Sequence, residues 1–200
     1  MLLLLCGVLT ACMAQQGEAL IRQRISQAAR SVRSMQCEFV QTKHLRMLND
    51  DMVSRGLMFY QQGNGLRWEY VAPYAYVFII SGDRVLLGNG RRRDVIDVNT
   101  NRLFGEIARI MMGSVVGSSL DDDRNFRSSI AVSGGEWVAT LLPQRKEMRQ
   151  LFQRILLHFS PGQATVTRVE LLEKNGDRTV IDLKNVRTNE TMDADVFTVR

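Results

Sequence analysis

The chain has 200 residues, 45% hydrophobic and 24% charged, which is enough apolar content for one compact domain with its own core and too much for a disordered chain. The formal net charge of +5 permits attraction to anionic surfaces. Its basic residues are scattered, however, with Arg91-Arg92-Arg93 the only tight run, so no nucleic-acid partner is expected.

Residues 1–16, MLLLLCGVLTACMAQQ, are too short to span a bilayer, which takes roughly 20 apolar residues in a helix. They read instead as the apolar stretch of an export signal followed by small residues, without the usual basic lead. Release after Ala14 would leave residues 15–200 as a single domain in the periplasm. The stretch Leu9-Thr10-Ala11-Cys12 also has the look of a lipobox, which would place a lipid anchor on Cys12. With Cys6 and Cys12 in the signal, Cys37 is the one thiol left of the three cysteines. It can make no internal disulfide, and with no basic partner nearby it reads as a small core residue rather than a nucleophile.

EALIRQRISQAARSVRS carries Leu20, Ile21, Ile25, Ala28, Ala29 and Val32 at a period near 3.6 and is an amphipathic helix. Strands follow. MQCEFVQTKHLRM sets Cys37 and Phe39 on one parity, MVSRGLMFYQQ runs to the turn GNG, and LRWEY alternates Leu66, Trp68 and Tyr70 against Arg67 and Glu69. YVFIISG and RVLLGN are apolar on both parities, which predicts cover on both faces. RRRDVIDV is a further strand, NRLFGEIARIMMGSV a helix, and GSSLDDDRN a loop. FRSSIAV, EWVATLLPQ, LFQRILLHFS, QATVTRVELLEKNG and DRTVIDLKNVRTN complete the strands. Short, regularly spaced strands with two helices predict one large antiparallel sheet of about ten or eleven strands that curls or closes.

Catalytic and metal-binding patterns do not emerge. GNGR and QQGNG are hairpin turns rather than phosphate cradles, and His44 and His158 have no ligand-spaced companions. Asp121-Asp122-Asp123 lacks the alternating oxygens of a calcium loop, and no serine sits in a nucleophile elbow. A non-enzymatic protein without cofactor or metal is expected. What remains is apolar surface on a curved sheet, which either fills itself or encloses a guest.

The ordered set of elements resembles the periplasmic outer-membrane lipoprotein carrier family (LolA-like). It comprises the N-terminal helix, MQCEFVQTK with Phe39 and Gln41, GLMFYQQGNGLRWEYVAPYAYVFIISGDRVLLGN, and the closing LKNVRTNETMDADVFTV. The resemblance spans the chain after residue 14; its strength lies in the order, since no single motif is diagnostic. It implies an incomplete, strongly curved antiparallel β-barrel with a helical lid over a hydrophobic cavity. It further implies a monomeric carrier that receives triacylated lipoproteins from an inner-membrane ABC-type release complex and delivers them to an outer-membrane receptor or membrane, using neither cofactor nor nucleotide.

On that resemblance the acyl-chain cavity wall is expected from Phe39, Leu57, Phe59, Leu66, Trp68, Tyr70, Phe78 and Ile80, with Val77 and Ile79 as the alternative parity on their strand. The lid is expected from Leu103, Ile107, Ile110 and Met111. Carriers of this kind hold the lid with an arginine where this chain has Gln62, so Gln62 is the candidate latch, without charge assistance. Arg67 and Arg91–Arg93 are candidate contacts for partners or anionic headgroups. The competing readings are a membrane-tethered receptor of the same fold, a periplasmic lipid-binding sensor, and an exported lipid enzyme. A receptor would carry an exposed apolar loop, whereas the turns GNG, KNG and SPG are polar.

Overall fold

The structure, a computed structural model, describes residues 3–48, 50–89, 92–99 and 110–198. Among them, eleven strands form one antiparallel sheet: β1 (Ser34–His44), β2 (Asp51–Gln61), β3 (Gly65–Ala72), β4 (Tyr76–Ser81), β5 (Arg84–Gly88), β6 (Arg93–Asp97), β7 (Phe126–Ser133), β8 (Glu136–Pro143), β9 (Phe152–Ser160), β10 (Thr165–Glu173) and β11 (Arg178–Thr188). The order is β6-β5-β4-β3-β2-β1-β11-β10-β9-β8-β7. Each half of the chain is a run of consecutive hairpins, and pairing of β1 with β11 joins the halves. The edges β6 and β7 do not meet, so the barrel stays open. Register breaks at Gln36/Glu38, Arg55/Gly56 and Val166/Arg168 insert extra residues that bend and twist the sheet.

The helix α1 (Leu3–Ser31) packs on the inner face through the fully buried Ile25, with Ile21 and Ala28 beside it and Val32, just past its end, nearly buried as well. Leu20, expected on the same stripe, is 60% exposed. The helix also guards an edge. Glu18 Oε1 accepts the Ile130 N–H at 3.0 Å, so a β7 amide with no neighbouring strand bonds to a carboxylate instead. Arg22 donates to Glu18 (3.1 Å), to the Leu120 carbonyl (3.1 Å) and to Ser128 Oγ (2.8 Å). Ser26 Oγ donates to Asp121 at 2.8 Å.

Between β6 and β7 the chain crosses the inner side through the helix α2 (residues 110–116) and a 3-10 turn, Ser118–Asp121, where a plain loop is expected from sequence. The acidic residues there act as acceptors: Asp122 takes a hydrogen bond from Asn125 at 2.6 Å. A short helix, α3 (Lys146–Leu151), precedes β9 and buries Met148; the hydrophobic pattern gave no sign of it.

The inner face carries the core. Cys37 faces Met58, Met58 faces Trp68, Trp68 faces Phe78 and Phe78 faces Leu87 across successive ladders. The cover predicted on both faces of β4 is present: Ile79, on the outer face, is 1% exposed, and the C-terminal 3-10 turn Ala194–Phe197 contacts β3 and β4 there. Arg67 is committed to that turn, donating to Glu69 (2.8 Å) and to the Val196 carbonyl (3.2 Å). It is therefore part of the fold's own packing rather than a free contact for a partner. Of the arginine run, Arg92 is exposed and pairs with Asp94 at 3.3 Å.

Candidate functional site

Under α2 lies a partly open, almost wholly apolar cavity of about 170 Å³. Its floor is Gln41 of β1 with Trp68 and Tyr70 of β3. Its roof is Ile110, Met111, Ser114 and Val115 of α2. The far wall comes from the other half of the sheet, Ile155, Val169, Leu171 and Ile181, with Met148 and Phe152 at the side. Alternation puts these side chains inward on each strand, and the junction of β1 with β11 brings the two walls together.

Of the sequence-predicted wall, Trp68 and Tyr70 line this cavity. Phe39 supports it from behind, its ring 4.4 Å from Trp68 and 5.2 Å edge-on to Tyr70. Leu66 and Ile80 are buried in the adjoining core, Ile80 also bordering a second groove, and Phe78 is partly buried against the same core. Leu57 and Phe59 are corrected: the register places Met58 and Tyr60 inward and turns Leu57 and Phe59 to the outer face, where Leu57 is 37% exposed. The run GLMF is apolar on both parities, so alternation alone cannot choose a face. The alternative pair Val77 and Ile79 likewise faces outward. On the lid, Ile110 and Met111 occupy the roof, while Leu103 and Ile107 lie outside the described residues. Sequence reasoning missed Ser114, Met148 and the far wall, although Ile155, Leu157 and Phe159 alternate visibly in LFQRILLHFS.

A second, open groove of about 480 Å³ flanks α2 on its other side, between Met112, Gly113 and Val116 and the β2–β3 turn. Gln61 and Asn64 border it, with Asn64 Nδ2 donating to Gln61 Oε1 at 2.8 Å. Gln62 does not: it is exposed, and its backbone N–H donates to the Arg33 carbonyl at 2.8 Å. Its side chain makes no hydrogen bond to α2, so no latch is formed at this position among the described residues. The helix α2 therefore stands between two hollows, held by side-chain packing. It ends at Gly117, whose φ of 85° marks a left-handed cap.

The hairpin turns GNG, KNG and SPG are polar, but the β1–β2 turn is not. Met47 is 95% exposed and Leu48 56%, and Met52 and Val53 beside them on β2 are 57% and 43% exposed. Met47 and Leu48 thus stand in water at the hairpin tip, with Met52 and Val53 exposed on opposite faces of β2 beside them.

Cys37 faces inward, 6% exposed. Burial first, and Glu38 second, push its thiol up from 9.0 to about 12. The unfolded chain loses this proton near the ordinary value, so the contribution to stability is complete below pH 9 and is lost as pH rises toward 12. Burial also raises Tyr60 and Tyr70, which act in the same direction at higher pH. We expect no labelling of Cys37 by thiol reagents at about pH 8 without denaturant in the chain from Gln15 onward. We also expect the free energy of urea unfolding to fall from about pH 9 upward, by an amount on the order of a few kcal/mol by about pH 12, with Cys37→Ala removing the earliest part of the fall. Rapid labelling of the native protein would contradict this placement.

Residues 30–200 match the sequence model of the family described as outer membrane lipoprotein carrier protein LolA. An outer-membrane lipoprotein carrier protein from Methylococcus capsulatus is 23% identical over 92% of this chain and 85% of that protein. One from Nitrosospira multiformis is 24% identical over 84% and 78%. The crystal structure of an uncharacterized conserved protein from Thermus thermophilus superposes with a TM-score of 0.54 at 10% identity, covering 91% of this chain and 93% of that chain, and shares the fold.

Proposed function

The chain belongs to the outer membrane lipoprotein carrier family, and on that premise we propose that it is a periplasmic carrier. It takes lipoproteins at the inner membrane, shelters their acyl chains under α2 and delivers them to the outer membrane. The family's carriers are binding proteins, not enzymes. In this proposal residues 1–14 direct export and are removed. No helix among the described residues is long and apolar enough to cross a membrane.

The observation that carries the reading is an apolar cavity roofed by the helix α2 on the crossover segment, within a sheet left open between β6 and β7. Burying acyl chains gains about 0.8 kcal/mol per CH₂, so transit through water requires a shelter. At about 170 Å³ the cavity is smaller than the roughly 300–1,000 Å³ of usual ligand sites. Three acyl chains cannot enter until α2 moves.

The test is incubation of the purified chain from Gln15 onward with spheroplasts, followed by assay of the supernatant for lipoproteins in complex with it. Leu66 and Trp68 are 0% and 3% exposed, so a charge at either would unfold the protein. Met111, part-buried on the lid, is the informative position. Release is expected, and Met111→Glu is expected to reduce it at least about tenfold while leaving the circular dichroism spectrum unchanged, because a charge cannot share the cavity with hydrocarbon. Absence of release overturns the carrier reading. The exposed Met47 and Leu48 at the β1–β2 tip favour one second reading, a membrane-tethered receptor of the same fold. Failure to release lipoproteins, with uptake of them from a loaded carrier, would support it.

A further inference from the structure

The cavity is apolar except at one end, and that end is unsatisfied. Trp68 Nε1 and Ser114 Oγ are both buried without a hydrogen-bond partner, in residues 3% and 5% exposed, and both residues line the same hollow. Beside them the Tyr70 hydroxyl donates to Gln41 Oε1 at 3.0 Å. The indole N–H lies near enough to the Tyr70 hydroxyl to oppose, in part, the burial that raises its pKa, but it does not meet hydrogen-bond geometry there. Native proteins rarely leave such groups unpaired inside, and a chain of methylenes would not pair them.

We propose that this end of the cavity is a subsite for the neutral carbonyl of an ester- or amide-linked acyl group, with the hydrocarbon running from it along Ile155, Leu171 and Ile181. This rests on the acyl-cavity reading above and adds to it a polar anchor and a direction of entry. The donor inventory selects the chemistry. An indole N–H can only donate, and a hydroxyl can turn to donate. Two unpaired donors in residues lining one hollow call for an acceptor oxygen. Among the described residues no lysine, arginine or histidine lines the hollow, so an ionised carboxylate would lie there without a counter-charge from them, which is heavily disfavoured. The subsite therefore prefers an esterified or amidated acyl group to a free fatty acid, and so separates lipid-modified cargo from free fatty acids.

The experiment compares four single-chain probes on the purified protein at about pH 8: methyl decanoate, N-decanoyl glycinamide, decanoate and decane. Binding is read from tryptophan emission in a Trp137→Phe background, and the ester probe carries a ¹³C carbonyl for infrared difference spectra. The ester and the amide are expected to bind at least about tenfold more tightly than decane or decanoate, and the bound carbonyl band is expected at lower frequency. Comparison of ester with amide shows which linkage the subsite takes. Ser114→Ala should weaken ester binding about three- to tenfold, as loss of one hydrogen bond does, and leave decane unchanged. Trp68→Phe, which keeps a ring and loses only the N–H, should remove most of the carbonyl shift, with binding then read by calorimetry. Equal affinity for ester and decane with no band shift overturns the subsite and leaves the acyl cavity standing. Decanoate binding as tightly as the ester overturns the preference for a neutral carbonyl. Failure of all four probes to bind overturns both the subsite and the cavity reading.

Discussion

Gly56→Ala is expected to leave the chain largely unfolded. A Cβ at this position would lie 1.9 Å from the Glu69 carbonyl oxygen and 2.6 Å from two ring carbons of Phe39. The first contact is with backbone, across the bulge where β2 meets β3, so no rotamer change relieves it. The second is with a ring held by Trp68 and Tyr70. Separation of the two strands is the remaining escape, and its cost of about 4 kcal/mol or more is comparable with the roughly 5–15 kcal/mol that keeps a whole domain folded. The measurement is soluble yield and urea unfolding followed by circular dichroism. Two comparisons identify the cause. Gly63→Ala, at φ 85° with nothing within 4 Å of its Cβ, should cost only about 1–2 kcal/mol of left-handed backbone strain. Phe39→Leu should not rescue Gly56→Ala, because the carbonyl contact persists. A Gly56→Ala protein as stable as Gly63→Ala would show that the strands are not this close.

Phe39→Ala should destabilise the protein by about 3–5 kcal/mol, the usual cost of emptying a buried aromatic site. Phe39 is 1% exposed, lies opposite the side-chain-free Gly56 on β2, and stacks at 4.4 Å on Trp68. Its loss leaves a void that glycine cannot fill, and it frees the two aromatic residues forming the cavity floor. A fall in melting temperature on the order of 10 °C follows for a domain of this size. Acyl probes should bind more weakly even in the protein that remains folded, since Trp68 would no longer be held. A cost below about 1 kcal/mol would mean that the surrounding side chains collapse into the space, and that Phe39 does not position the floor. Phe39→Leu should fall between the two, because it keeps much of the volume and loses the stacking.

Both predictions depend on a motif visible in the linear chain and on contacts that are not. Alternation in LRWEY and MQCEF assigns Trp68, Tyr70 and Phe39 to one face, because strand side chains repeat every second residue. The amphipathic period of residues 18–32 assigns Ile25 and Val32 to the core, and turn signals separate the strands. By these local rules the sequence determined a large curved antiparallel sheet, and its ordered motifs pointed to the carrier family. Where a segment is apolar on both parities, local rules are silent. Leu57 and Phe59 went outward because the bulge at Arg55/Gly56 and pairing with β1 fix the register of β2. Ile79 is buried on the outer face because a C-terminal turn, more than a hundred residues away in sequence, folds over it. The far wall of the cavity, the unpaired donors on β3 and α2 and the exposed Met47–Leu48 tip are likewise products of tertiary structure. Each depends on which strands become neighbours when β1 pairs with β11, and that pairing is a long-range contact with no counterpart in the spacing of nearby residues.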